Sequence, residues 1–173
     1  WESKIRNLDR FNLTWLEEPI DPSDINNLKD LKNLAPSIPI ALGESLTGEL
    51  EMRAYLSNPF LDYLQLDVTH CGGITGAIEI IKLAEKHNLK IALHVWGSKL
   101  SFLSNLHVSF LSKNIIYLEF PTVNLDLSNY LDSEELFISE STIFKPAFSG
   151  VGIRFKSSLV NKFKFIKGSG FKL

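Results

Sequence analysis

From Leu13 onward the chain alternates short apolar, β-prone runs with longer stretches whose apolar residues recur at helical spacing. The runs Leu13–Glu17, Ile38–Leu42, Tyr63–Asp67, Ile91–His94 and Ile115–Glu119 each have the length of a strand buried on both faces. Between them the pattern predicts helices over Asp24–Leu34, Thr47–Ser57, Thr75–His87 and Ser98–Ser112, with another at Glu2–Arg10. In Thr75–His87, for example, Ala77, Ile78, Ile80, Ile81 and Ala84 form one stripe, while Glu79, Lys82, Glu85 and Lys86 take the other side.

Alternating strands and helices predict an α/β fold with a parallel sheet and right-handed crossovers, either open and doubly wound or part of a closed barrel. No Gly-x-Gly-x-x-Gly follows the first strand and no Gly-Lys-Ser/Thr loop is present, so the barrel is favoured over a nucleotide-binding sheet. About five β/α units are expected in residues 1–121. After Glu119 the rhythm changes to a polar stretch, then Phe144–Phe155 with Pro146, Gly150 and Gly152, and a last helical piece at Ser157–Phe165. Residues 122–173 are therefore expected to be a C-terminal extension packing on the barrel or a capping region, with a locally basic, solvated end.

With 173 residues and 45% apolar composition the chain can bury one sizeable core. Lys+Arg 18 against Asp+Glu 20 gives a net charge of -2, which provides no basic field for nucleic acid or an anionic membrane. A small-molecule partner is expected. A single cysteine, Cys71, allows no internal disulfide and points to a cytoplasmic setting. The apolar runs are far shorter than the roughly 20 residues that cross a bilayer. The chain opens at Trp1 without an initiator Met or a signal-like region, so an internal start is expected.

Each predicted strand is closed by an ionisable residue: Glu17, Glu44 just past its strand, Asp67, His94 and Glu119. Their spacings are 27, 23, 27 and 25, one β/α unit each. In a parallel barrel the C-terminal strand ends form a single rim, where catalytic side chains from different strands meet. Four carboxylates and an imidazole in one rim require a cation or shared protons, because like charges raise one another's pKa. Glu17 and Glu44 offer oxygen ligands suited to Mg²⁺. His94 can take a proton near neutral pH, with Asp67 orienting its ring, and Glu119, if protonated, can donate to a developing oxyanion. Glu18 alternates to the other side of its strand end and is expected to support the site, and Trp96 lies on the side of His94 and could wall it. His70, His87 and His107 are expected on the surface or in packing roles.

The segments Trp15-Leu16-Glu17-Glu18-Pro19, Leu42-Gly43-Glu44-Ser45, Gln65-Leu66-Asp67 with Cys71-Gly72-Gly73-Ile74, Leu93-His94-Val95-Trp96-Gly97 and Tyr117-Leu118-Glu119 together resemble the enolase superfamily, in its mandelate racemase and muconate lactonizing enzyme-like subgroup. The resemblance implies the C-terminal part of a TIM-type barrel. It implies Glu17 and Glu44 as two of three Mg²⁺ ligands, His94 with Asp67 as the base dyad, and Glu119 as partner of a substrate carboxylate oxygen. It further implies abstraction of a proton α to a carboxylate, with dehydration of an acid sugar as the leading reaction and racemisation or cycloisomerisation as alternatives. An N-terminal capping domain, a Lys-x-Lys motif and a third acidic ligand, all usual in such proteins, have no counterpart in the sequence. An open barrel would expose strand edges, so self-association as a homo-oligomer is expected, and an inactive fragment that only binds a metabolite is the rival expectation.

Overall fold

The computed structural model describes residues 2–164 except 124, 134, 135, 137, 141 and 148. A helix α1 (Glu2–Leu8) and a 3-10 turn (Asp9–Phe11) lead into five strands joined by four helices. The strands are β1 (Leu16–Glu17), β2 (Ile40–Leu42), β3 (Tyr63–Leu64), β4 (Lys90–Leu93) and β5 (Ile115–Leu118). The helices between them are α2 (Ile25–Leu34), α3 (Gly48–Leu56), α4 (Gly73–Lys86) and α5 (Lys99–Ser109). All five strands pair in parallel in the order β1-β2-β3-β4-β5. Among the described residues no further strand pairs with β1 or β5, so both edges are open.

Helices α2 and α5 begin close to their predicted starts because the residues there satisfy free backbone N–H groups. The Asp24 side chain accepts from the Asn27 N–H at the head of α2, and the Ser98 hydroxyl accepts from the Leu100 N–H at the head of α5. The strand ladders are shorter than the apolar runs. Beyond them single backbone bonds, Gln65 N–H to Leu42 O, His94 N–H to Leu66 O and Glu119 N–H to Leu93 O, carry each chain out to its terminal ionisable residue.

Period-two alternation divides the sheet into two faces. Leu42, Leu64, Leu66, Ile91 and Leu93 turn outward and are buried against Leu28, Met52, Ile80 and Ala84 of the covering helices. Trp15, Ala41, Tyr63 and Ala92 share the opposite face in a separate cluster. There the sheet curls so far that Trp15 of the first unit lies 5.3 Å from Tyr63 and 5.4 Å from Tyr117, ring centre to ring centre. Large residues from the first, third and fifth units thus fill the concave side, and the alanines of the second and fourth leave room for them, as in the side-chain layers of a barrel.

At the N-terminal end of the sheet the half-buried Lys32 donates to Ile38 O at 3.1 Å and to Asp62 at 2.7 Å, and Asp62 also accepts from Ile40 N–H at 2.8 Å. This bottom-face network ties α2 to β2 and is remote from the ionisable rim.

Past β5 a 3-10 turn (Asp126–Tyr130) is followed by β6 (Leu131–Ser133), β7 (Ile138–Ser139), β8 (Thr142–Ile143), β9 (Ile153–Phe155) and α6 (Ser157–Lys162). The pairs β6/β9 and β7/β8 are antiparallel. Leu136, Ile143, Val151 and Ile153 pack against Val95, Phe102, Leu103 and Leu106, which seats this segment on α5. The sequence reading of Trp1, and of the basic end beyond residue 164, falls outside the described residues, and the last helix is described to Lys162 rather than Phe165. No described helix is long and apolar enough to cross a membrane.

Candidate active site

The alternation that places Trp15, Tyr63 and Tyr117 on the concave face brings Glu17, Gln65, Asp67, His94 and Glu119 to the same side, one or two steps further along each strand. Glu44 would fall on the opposite side by count, but Gly43 intervenes at φ 140°. The Glu44 side chain consequently reaches His94, with Oε2 3.0 Å from Nε2. Gly43 also lets β2 pass close to its neighbour, since a Cβ there would lie 2.8 Å from Gln65 O. Gly43→Ala is therefore expected to cost about 2 kcal/mol or more of stability, read by urea unfolding. An unchanged midpoint would contradict the role given to Gly43.

His94 is the hub. Its Nδ1 lies 3.1 Å from Asp67 Oδ2, and its Nε2 faces Glu44 at 3.0 Å and Glu119 Oε2 at 3.9 Å. The Asp67 hydrogen bond, opposed by burial and aided by the charges of Glu119 and Glu44, raises the His94 pKa above the ordinary imidazole value. At 3.0 Å the Nε2–Glu44 contact is a charge-assisted hydrogen bond whenever the ring is protonated.

Asp67 is fully buried. Burial alone would raise its carboxyl, but bonds from His94, the Thr69 N–H, the Asn105 amide and the Thr69 hydroxyl outweigh burial and lower it to about 2. It stays ionised and keeps Nδ1 protonated, which leaves Nε2 as the position that exchanges protons. Glu119 Oε2 accepts from the Val95 N–H at 2.8 Å, which fixes it beside His94.

Glu17 Oε2 accepts from Gln65 Nε2 at 2.7 Å and from Trp15 Nε1 at 3.2 Å. Burial raises the Glu44 carboxyl, the His94 ring opposes that rise, and the charges of Glu17 and Glu18 with a hydrogen bond to Glu17 add to it. Two adjoining carboxylates, one held above its usual range, form an oxygen-rich site where added positive charge would be favourable. That donor chemistry fits Mg²⁺. Buried Gln65 Oε1 has no partner and adds an unsatisfied acceptor next to Glu17. Among the described residues, however, no group of three or more His, Cys, Asp or Glu is arranged to hold a metal ion.

Glu18 sits at φ 30° and turns away from the rim, where Oε1 accepts from the Gly43 and Ser45 N–H groups and the Ser45 hydroxyl. It braces the loop that carries Glu44. Trp96 is 68% exposed and does not enclose His94. His70 is exposed, yet its Nδ1 lies 3.0 Å from Glu44 O and so latches the same loop. Burial, then the Asp67 charge, pushes the Cys71 thiol up to about 11, which removes it as a nucleophile at neutral pH.

Sequence reading missed Asn105, Thr69 and the anchoring role of Gln65. Asn105 carried a legible signal, being a polar residue one helical turn from Ser101 within the apolar Phe102, Leu103 and Leu106.

Residues 3–159 match the model of the enolase C-terminal domain-like family. The chain is 39% identical over 89 residues to the L-talarate/galactarate dehydratase of Salmonella typhimurium, a match covering 51% of this chain and 22% of that protein. It is 30% identical over 121 residues to a D-galactonate dehydratase family member of Salmonella virchow, covering 69% of this chain and 29% of the relative. The chain thus spans less than a third of these relatives' lengths. Among solved structures, an enolase from Pantoea ananatis with bound D-gluconate and Mg superposes with TM-score 0.79 and 25% identity, over 94% of this chain and 40% of that one. A member of the enolase superfamily from Salmonella typhimurium superposes with TM-score 0.83 over 93% of this chain and 41% of that one, and its 23% identity speaks for the fold alone. With sheet topology and family match in agreement, the chain belongs to the enolase C-terminal domain-like family, within the mandelate racemase and enolase superfamily.

Proposed function

We propose that this chain carries the proton-abstracting part of an acid-sugar dehydratase site. The observation that carries the reading is His94 held at 3.1 Å by an ionised, buried Asp67 while its other nitrogen faces the carboxylates of Glu44 and Glu119. An imidazole so placed is a base whose tautomer is fixed and whose charged form is stabilised.

In this reading His94 Nε2 removes the proton α to the carboxylate of a small acid sugar. Asp67 keeps Nδ1–H in place and offsets the positive charge that His94 acquires. Glu119, fixed at Oε2 by Val95 N–H, would in its protonated form donate to the substrate carboxylate, where negative charge grows as the enediolate forms. Glu17 and Glu44 would hold Mg²⁺, which when bound supplies electrostatic stabilisation of that charge. Departure of the β-hydroxyl as water, with the proton that His94 took returned to its oxygen as the C–O bond breaks, completes a dehydration. Racemisation and cycloisomerisation share the first step, so the relatives named as dehydratases support the choice of outcome.

A second reading, a fragment that binds a metabolite without turnover, is favoured by the incomplete set of metal ligands among the described residues. Exchange of the α-proton for deuterium, followed by NMR across a panel of acid sugars with and without Mg²⁺, separates the two. Mg²⁺-dependent exchange is the expected result for the enzyme. Absence of exchange with every acid sugar, together with no Mg²⁺ binding by calorimetry, would overturn that reading.

A further inference from the structure

Helix α5 begins five residues after His94, and its inner face carries two polar residues that are almost wholly buried, Ser101 and Asn105. Asn105 is 0% exposed and uses both ends of its amide. Its Nδ2 donates to Asp67 Oδ1 at 3.1 Å and to Ser101 O at 3.2 Å, and its Oδ1 accepts from the Val68 N–H at 3.1 Å. Accepting from one backbone N–H and donating to the neighbouring side chain fixes which way the amide faces. A Leu at this position would fill the same space, but it would strand the buried Val68 N–H and take one donor away from Asp67 Oδ1.

We propose that Asn105 is a positioning residue for the base dyad, clamping Asp67 from α5 so that Oδ2, and not Oδ1, meets His94 Nδ1. Asp67 has two oxygens and could rotate to offer either. Oδ1 is occupied by Asn105, the Thr69 N–H at 2.8 Å and the Thr69 hydroxyl at 2.8 Å, which leaves Oδ2 for the ring. The loop after β3 supplies the Thr69 contacts, and Asn105 connects that carboxylate to the helix that follows His94. The clamp thus links the segments on either side of the dyad through one buried amide. The proposal builds on the base role given to His94 and Asp67, but its test reads the ring directly and needs no turnover.

The test is ¹⁵N NMR of the four histidine rings of this chain, recorded at a pH above the titration of His94. In the unaltered protein His94 is expected as one tautomer, protonated at Nδ1. Asn105→Asp keeps an oxygen for the Val68 N–H but sets a second carboxylate oxygen against Asp67 Oδ1, and it is expected to replace the single tautomer with a mixture. Ser101→Ala, one turn away and without a side-chain bond to Asp67, is expected to leave the His94 signal unchanged. A single Nδ1–H tautomer persisting in folded Asn105→Asp overturns the proposal. Should that variant fail to fold, the Asn105 side-chain amide of the unaltered protein decides. Hydrogen exchange slower than that of the exposed Asn26 and Asn27 amides supports the clamp, and equal exchange overturns it. Neither result depends on whether an acid sugar is dehydrated, so loss of the proposed reaction and loss of the clamp are told apart.

Discussion

His94→Asn is expected to lower α-proton exchange by about 10² to 10⁴-fold, the range associated with loss of a positioned general base. Asparagine fits the space and can still donate an N–H toward Asp67, which is fully buried and would otherwise lose its bond from the ring. What it cannot do is take up a proton opposite Glu44 and Glu119. Folding should therefore survive, as judged by circular dichroism, while exchange measured with the most active acid sugar falls. Exchange at the wild-type rate in a folded His94→Asn protein would remove His94 from the chemistry and pass the role to Glu44 or Glu119, the groups that face its Nε2.

The second large effect concerns stability in acid. Asp67 falls from an ordinary 3.8 to about 2 in the folded chain. A carboxyl lowered on folding contributes stability above its unfolded value and loses it as pH falls through the folded one. The contribution is on the order of 2 kcal/mol. Asp67→Asn removes it, so the stability gap between the two proteins should be full at neutral pH and narrow as pH drops from 3.8 through about 2. His94 has the opposite sign. Its raised value means that its contribution is present below 6.5 and is lost as pH rises through the folded value. Urea titrations of both proteins across this range provide the measurement, and a gap that stays constant down to pH 2 would show that Asp67 is not the group responsible.

Much of the fold was legible because its signals are periodic. Five apolar runs alternate with amphipathic stretches, and all five appear as parallel strands in chain order. The ionisable rim was legible for the same reason, since a spacing of one β/α unit carries each residue to an equivalent strand end. Glu44 was found only because the run it follows is so clear. Its delivery to the rim depends on the φ of Gly43, which a two-residue alternation does not encode. The strand ends were overestimated where pairing thins to single bonds, as at Gln65–Asp67. Thr69 stayed hidden because its importance lies in contacts to Asp67 from outside the strand pattern, whereas Asn105 was signalled only as a polar residue on an apolar helix face, with nothing to name Asp67 as its partner. The antiparallel pairs after β5 were not foreseen either, because strands of two or three residues show almost no alternation.

The aromatic contact across the concave face bears on how the sheet assembles. Trp15 immediately precedes the first of five hydrogen-bonded strands and Tyr117 lies in the last, yet their rings stand 5.4 Å apart. That contact closes a loop of about a hundred residues, so its entropic cost is met only when the intervening strands are already in register. Pairings of such long sequence separation slow folding relative to local helix formation. The curl of the sheet therefore makes the ring contact a late event, one that distinguishes a completed concave surface from a partly zipped one.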